Sequence, residues 1–161
     1  MRGFQSGLLA ALTCGVLLLA ACGGGETSGD AAWTKEDAQK ILDSAAFSEE
    51  LEELDLDTAW MLYGLGDAGL ERESLTDGVC RRSAGATCEE LTVLIFDSAQ
   101  TAETALDALD GYLEGQIASN TDYRPAEIPK LEGAWVEQRG NTLLMVVAND
   151  IQAAKDAVGI K

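Results

Sequence analysis

The chain has 161 residues, of which 28 are acidic and 11 are basic, and its formal net charge at pH 7 is −17. This length suits one domain with a single core. The negative charge repels phosphates, which excludes nucleic acid as a partner. Histidine is absent, which excludes Ser-His and Cys-His catalysis and histidine-ligated zinc.

The first 21 residues have the pattern of an export signal. Arg2 is their only charged residue, and the apolar run over residues 8–21 is too short to span a bilayer comfortably. The run ends in Leu19-Ala20-Ala21-Cys22, and three glycines follow. This ending resembles the lipobox of bacterial lipoproteins, which implies cleavage before Cys22 and a diacylglycerol, with acyl chains such as palmitate, on that cysteine. The alternative is an uncleaved single-span anchor, which the small residues and the Gly/Ser tail disfavour.

Residues 22–32 are interpreted as the lipidated cysteine and a flexible tether, and residues 33–161 as one globular domain. Two acyl chains suffice for stable anchoring. We therefore expect a lipoprotein that Cys22 holds to the bilayer, on the extracytoplasmic face of the cell membrane. From Cys22 onward, 10 basic residues stand against 28 acidic ones, a charge of −18. This charge suits either a soluble surface alone or a cationic or protein partner in the cell envelope.

The predicted elements begin with a helix over residues 35–46, because Thr34 is an N-cap and apolar residues follow at helical spacing. Residues 49–57, here called the acidic segment, hold six carboxylates with leucines between them, so part of the segment is expected to be buried. Weak divalent-cation binding by these carboxylates is left open. Residues 58–65 form a short apolar and aromatic run closed by glycines, which predicts a buried strand.

Two strands are predicted next, over residues 78–83 and 90–96, with a hairpin around Gly85. Asp97 is predicted to open the longest helix. Residues 120–129 contain both prolines and predict a loop. The long helix carries an apolar stripe that should pack on a sheet, formed by Ala102, Leu106, Leu109, Leu113 and Ile117.

The last predicted elements are strands over residues 134–138 and 142–148, around the turn Arg139-Gly140-Asn141, and a short helix from Asn149 to Val158. The resulting order is α-β-β-β-α-β-β-α. It predicts an α+β fold, with a mainly antiparallel sheet of about five strands and helices covering one face.

Three sequence features resemble sites but favour structural roles. Residues 64–69 match G-x-G-x-x-G, yet the acidic residues around them suit a glycine-rich turn and not a dinucleotide site. Arg81 and Arg82 are the only basic pair and are interpreted as a local ion-pairing site. No metal site and no cofactor is predicted. Three tryptophans are expected to be core or partly buried residues, namely Trp33, Trp60 and Trp135.

Two functional hypotheses remain. Neither G-x-S-x-G nor S-x-x-K occurs, and the leading hypothesis is a non-catalytic binding or interaction module of unknown ligand, with no catalytic residues. The alternative is a carboxylate-based cell-envelope enzyme, or an enzyme accessory, that acts on cell-wall material. That alternative requires convergent carboxylates about 5–9.5 Å apart in a cleft.

Cys80 and Cys88 are predicted to form a disulfide. They are the only cysteines after Cys22, they belong to an exported domain, and a hairpin between their strands could bring them together. The alternative is a pair of buried, reduced thiols.

A family resemblance rests on five segments: Leu62-Tyr63-Gly64-Leu65, Ser83-Ala84-Gly85-Ala86-Thr87, Glu89-Glu90-Leu91-Thr92-Val93-Leu94, Tyr123-Arg124-Pro125-Ala126-Glu127 and Val146-Val147-Ala148-Asn149-Asp150. With the long helix they cover most of residues 34–158. They resemble a family of small lipoproteins from Gram-positive anaerobic bacteria whose shared domain has no known function. The resemblance implies a lipid-anchored α+β domain and supplies no catalytic residues, and Cys80 and Cys88 lie outside its pattern.

Overall fold

The structure is a computed structural model that describes residues 31–161. The predicted signal segment, the lipidation site Cys22 and almost all of the tether lie outside the described residues and stay predictions. The described helices and strands are α1 (Lys35–Leu42), β1 (Glu52–Leu54), α2 (Leu56–Leu62), β2 (Leu75–Arg82), β3 (Glu90–Phe96), α3 (Ala99–Asn120), α4 (Ile128–Glu132), β4 (Trp135–Arg139), β5 (Thr142–Val147) and α5 (Ile151–Ala157).

The five strands form one sheet in the order β1-β2-β3-β5-β4, and every neighbouring pair is antiparallel. The predicted α+β fold with an antiparallel sheet is therefore confirmed. β3 lies at the centre, and the short β1 is one of the two edge strands.

Helices cover both faces of the sheet, so the expectation that they cover one face is wrong. On one face, here called the α3 face, α2, α3 and α4 pack on a core that includes Phe96 and Leu143. On the other, the α1 face, α1 and α5 pack on a core that includes Val93 and Leu144. The reason lies in β3 and β5, whose apolar residues occupy consecutive positions and so point to both faces.

Residues 58–65 do not form the predicted strand, because most of them belong to α2 and the turn after it. The Asp55 carboxylate accepts a hydrogen bond of 2.9 Å from the Thr58 N–H and so caps the first turn of this helix. A short apolar run suits a buried helix as well as a buried strand. Three strands still precede the long helix, because β1 forms within the acidic segment.

The other helix boundaries differ from prediction by a few residues. α1 ends at Leu42 instead of residue 46, and α3 is capped by Ser98 instead of Asp97. Part of the predicted proline loop forms a single 3-10 turn, Pro125–Glu127, followed by α4.

The two ends of the sheet differ in what they carry. The loop between β2 and β3, residues 83–89, defines the hairpin end, and the tight turn between β4 and β5 defines the turn end. Trp33 docks near the turn end, where its N–H donates to Thr142 Oγ1 at 2.8 Å and its Nε1 donates to the Glu137 carbonyl at 3.1 Å. The polypeptide chain therefore enters the domain at the turn end of the sheet.

The prediction that the tryptophans are core or partly buried is confirmed. Trp33 and Trp135 are buried and meet edge to face at 5.3 Å between ring centroids, and Trp60 packs partly buried against the α3-face core. The Arg139 guanidinium lies 3.6 Å above the Trp33 ring. Trp33 and Trp135 thus do not form an exposed stacking platform.

Candidate functional site at the hairpin end

The register of the hairpin rules out the predicted Cys80–Cys88 disulfide in this structure. Cys80 pairs with Thr92 of β3, whereas Cys88 lies in the loop before β3, four positions from Thr92. The two cysteines are therefore not opposite each other. A bridge requires Cα atoms within about 7 Å. The strand residues that pair across the hairpin are symmetric in sequence about Ala86. A Cys80–Cys88 bridge would require pairs that are symmetric about Ala84. Both cysteines are buried free thiols, and burial raises the pKa of Cys80 to about 11.

A buried carboxylate, Glu90, lies beside the hairpin on the α3 face, with 4% of its side chain exposed. Tyr63 donates a hydrogen bond of 2.5 Å to its Oε1, and Tyr112 donates one of 2.7 Å to its Oε2. The Tyr63 hydroxyl also lies 2.6 Å from Thr92 Oγ1. Burial raises the pKa of Glu90, although the tyrosine hydrogen bonds and the charge of Arg82 act in the opposite direction.

Glu90 is the inner member of a charged row across three strands. The register pairs Glu52 of β1 with Arg82 of β2, and Arg82 with Glu90 of β3. Arg82 Nε lies 3.8 Å from Glu90 Oε2, which is an ion pair but too long for a hydrogen bond. Within residues 31–161, the Arg82 side chain donates no hydrogen bond and the Glu52 carboxylate accepts none.

Glu52 and Arg82 line an open groove of about 320 Å³ whose opposite wall is the start of the hairpin loop, Ser83 to Gly85. Gly85 has φ +117°, a conformation that side chains rarely adopt. The groove therefore lies between the edge strand β1 and the tip of the hairpin.

The loop that forms this wall is held in place by two charged side chains. Ser83 Oγ and Thr87 Oγ1 each donate a hydrogen bond of 2.6 Å to Glu49 Oε1, and these bonds lower the pKa of Glu49. Arg124 Nη1 donates to the carbonyls of Gly85 and Thr87 at 3.0 and 3.2 Å. These bonds preorganise the wall of the groove.

A second buried carboxylate, Glu89, ties the hairpin to two other segments. Its oxygens accept hydrogen bonds from the N–H and hydroxyl of Ser48 at 2.8 and 2.7 Å and from Lys130 Nζ at 2.9 Å. Glu127 accepts from the Cys88 N–H at 2.8 Å and lies 3.2 Å from Lys130. Protein groups thus occupy the oxygens of Glu89, which makes it a structural residue.

The acidic segment uses most of its carboxylates to hold the fold. Asp55 caps α2, Glu53 pairs with Arg81 at 3.0 Å, and Asp57 pairs with Arg72 at 2.6 Å. In the part of the chain that the structure describes, no group of three or more acidic or cysteine side chains could hold a metal ion. The interpretation of the Arg81-Arg82 pair as an ion-pairing site is confirmed for both residues, although Arg82 pairs only at the longer distance.

Sequence reasoning did not identify Glu52, Arg82 and Glu90 as a site. Their only local signal is opposite charge at positions that become neighbours once the register of β1, β2 and β3 is known. Of the predicted site residues, Cys80 and Cys88 are buried and apart, and Cys22 lies outside the described residues.

Comparison with known families gives a match to a domain family. The profile of DUF4358, a domain of unknown function, matches residues 44–148, which include all five strands and the groove. No curated protein and no solved structure matches the chain. Across residues 31–161, none of the helices has the length and apolar character needed to cross a membrane.

Proposed function

The chain belongs to the DUF4358 family, a family of unknown function, and we propose that it is an extracytoplasmic lipoprotein whose domain is a non-catalytic binding module. The groove at the hairpin end is its binding site. One observation carries the proposal: Glu52 and Arg82 line this preorganised groove with opposite charges that form no ion pair with each other.

Binding is favoured over catalysis because the buried carboxylates are occupied. A general acid or nucleophile must reach the substrate, but the oxygens of Glu89 and Glu90 are held by Ser48, Lys130 and two tyrosines. Glu52 and Glu53 are consecutive in β1, so their side chains leave the strand on opposite faces. They do not form the convergent pair that a glycan-cleaving enzyme requires.

The anchoring part of the proposal rests on Leu19-Ala20-Ala21-Cys22 and on the glycines after it. Its test is the Cys22→Ser variant, followed by labelling with a radioactive fatty acid and by membrane fractionation. We expect the label and the membrane association to be lost. Cys14→Ser is the matched control, since it removes another cysteine of the same segment, and it should retain both. Membrane retention of Cys22→Ser would contradict lipid anchoring.

The binding part is tested by a photoreactive amino acid in place of Ala84, in the wall of the groove, with intact-mass analysis after illumination of living cells. We expect an adduct that Arg82→Gln abolishes and Arg72→Gln preserves. The two arginines have similar side-chain exposure, 35% and 36%, but Arg72 donates to Asp57 and does not line the groove. A photoreactive residue at Gln152, exposed on α5, is the control position. Equal adducts at both positions would count against a binding site in the groove.

A further inference from the structure

Glu52 and Arg82 are positioned to neutralise each other but do not. Directly opposite residues on antiparallel strands place their Cβ atoms about 4.5–5.5 Å apart, and opposite charges at such positions normally attract. Glu52 and Arg82 are paired in this way, yet no ion pair joins them, and Arg82 lies toward Glu90 instead. The groove thus contains an available carboxylate beside a guanidinium with unused donors.

The state of Arg82 differs from that of the arginines around it. Arg72 donates to Asp57 and to the Leu75 carbonyl, and Arg124 donates to Asn120 and the hairpin carbonyls. Arg81 lies 3.0 Å from Glu53. Each of these side chains has a nitrogen within hydrogen-bond distance of a protein oxygen, although the buried Nε of Arg81 has no partner. Arg82 reaches Glu90 only at 3.8 Å, which leaves its donors available to a ligand.

We propose that the groove binds a zwitterion, a free amino acid or short peptide whose carboxylate contacts Arg82 and whose ammonium group contacts Glu52. This inference rests on the proposed binding function of the groove. A guanidinium presents a planar pair of N–H donors that matches a carboxylate, and Glu52 supplies the acceptor that an ammonium group requires. The groove volume of about 320 Å³ is at the small end of ligand sites.

The charge of the whole chain favours a zwitterion over a simple anion. A chain with a net charge of −18 from Cys22 onward repels anions, whereas a molecule with one charge of each sign has no net charge to be repelled. Glu53, which also lines the groove, is neutralised by Arg81. Among the charges that line the groove, Glu52 has no ion pair within residues 31–161, and Arg82 is paired only with Glu90, at 3.8 Å on its inner side.

Glu90 is the positioning residue of this site. It does not line the groove, but it lies 3.8 Å from Arg82 and is itself fixed by hydroxyls from α3 and from the end of α2. A carboxylate held at two oxygens gives the arginine a fixed counter-charge on its inner side. Arg82 thus enters the groove with a defined orientation, which reduces the ordering cost of binding.

The test is a calorimetric titration of alanyl-alanine into the full lipidated protein in detergent. N-acetyl-alanyl-alanine and alanyl-alanine amide serve as probes that lack one charge each. We expect saturable binding of the free dipeptide and at least about tenfold weaker binding of each blocked form, because each loses one charge-assisted contact. Equal binding of the free and blocked dipeptides would overturn the proposal.

Variants assign the two contacts. Arg82→Gln should lower the affinity for the free dipeptide at least about tenfold and also remove the difference between the free dipeptide and its amide. Glu52→Gln should remove the difference between the free dipeptide and its N-acetyl form. Arg72→Gln and Glu50→Gln are the controls, since neither residue lines the groove, and they should leave both differences intact. Thermal unfolding verifies that every variant is folded.

Failure of this inference is distinguishable from failure of the proposed function. Absence of saturable binding of alanyl-alanine would overturn the zwitterion proposal, while an Arg82-dependent photo-adduct at residue 84 in cells would still support a binding site. Loss of both results would overturn both.

Discussion

The Glu89 carboxylate and the Lys130 ammonium group form an ion pair of 2.9 Å in which the Glu89 side chain has no exposed surface. This pair joins the end of the hairpin loop to α4, and Ser48 connects the segment between α1 and β1 to the same carboxylate. Three segments distant in sequence are thus held together below the hairpin by one side chain.

Removal of the ammonium group should destabilise the domain. Lys130→Met leaves the Glu89 charge buried with only the two Ser48 donors, and we expect a loss of about 3 kcal/mol in the free energy of unfolding. Lys40→Met is the control, because Lys40 pairs with Asp37 at the surface and should cost at most about 1 kcal/mol. Equilibrium urea unfolding measures both. Similar losses for the two variants would contradict the structural role of the Glu89–Lys130 pair.

The raised pKa of Glu90 predicts a specific dependence of stability on pH. The folded state holds the Glu90 proton more tightly than the unfolded state does. The contribution of this residue to stability is therefore greatest at low pH, and it falls as pH rises from the ordinary pKa of glutamate through the raised one. Glu90→Gln should lack this decrease, so its unfolding free energy should improve relative to the parent protein as pH rises.

Tyr112→Phe tests the same dependence of stability on pH by removing a hydrogen-bond donor of Glu90. The Tyr112 hydroxyl lowers the pKa of Glu90, so removal of this hydroxyl should raise that pKa further. The variant should then lose stability over a wider pH range than the parent protein does. Urea unfolding at a series of pH values measures all three proteins. Parallel stability curves for the parent and Glu90→Gln would be inconsistent with the burial of an ionisable carboxyl at this position.

Gly78 of β2 has no room for a side chain. A Cβ atom there would lie 2.6 Å from the Val93 carbonyl oxygen, so Gly78→Ala requires the central strands to shift and should cost about 1–3 kcal/mol. Gly111→Ala in α3 is the matched control, since its Cβ would meet nothing within 4 Å. It should stabilise the helix by up to about 1 kcal/mol. Thermal unfolding would reveal opposite shifts in Tm.

The thiols of Cys80 and Cys88 should be free and protected. Both are buried, and burial raises the pKa of each, so little reactive thiolate forms at neutral pH. We expect neither to react with iodoacetamide in the native protein and both to react in urea. An increase in intact mass on reduction of the native protein would reveal a disulfide and contradict the hairpin register.

Two elements with a long continuous pattern, β3 and α3, were predictable from the sequence, whereas the short apolar run of residues 58–65 did not distinguish a helix from a strand. β3 was predicted with the bounds that it has, and the apolar stripe of α3 does pack on the sheet, because such patterns depend on burial alone. β1 has no such pattern, since two of its three residues are glutamates, and it exists because β2 offers an unpaired edge. No local signal distinguishes it from a charged loop.

The site was not predictable because it depends on register. Cys80 and Cys88 flank a loop whose length permits more than one pairing, and a shift of the centre from residue 84 to residue 86 separates the thiols. The same shift brings Arg82 opposite Glu90. The candidate groove arises from this pairing and from β1, both of which form only when distant segments meet.

The docking of Trp33 near the turn end has a mechanical consequence. With the lipid anchor proposed for Cys22, tension from the membrane enters the domain at Trp33, while a ligand held beside Arg82 pulls at the opposite end of the sheet. That load acts along the strands, and the ladder hydrogen bonds lie across them. The bonds between strands would therefore be loaded together in shear instead of opening one after another, so the sheet would resist such a load as a unit.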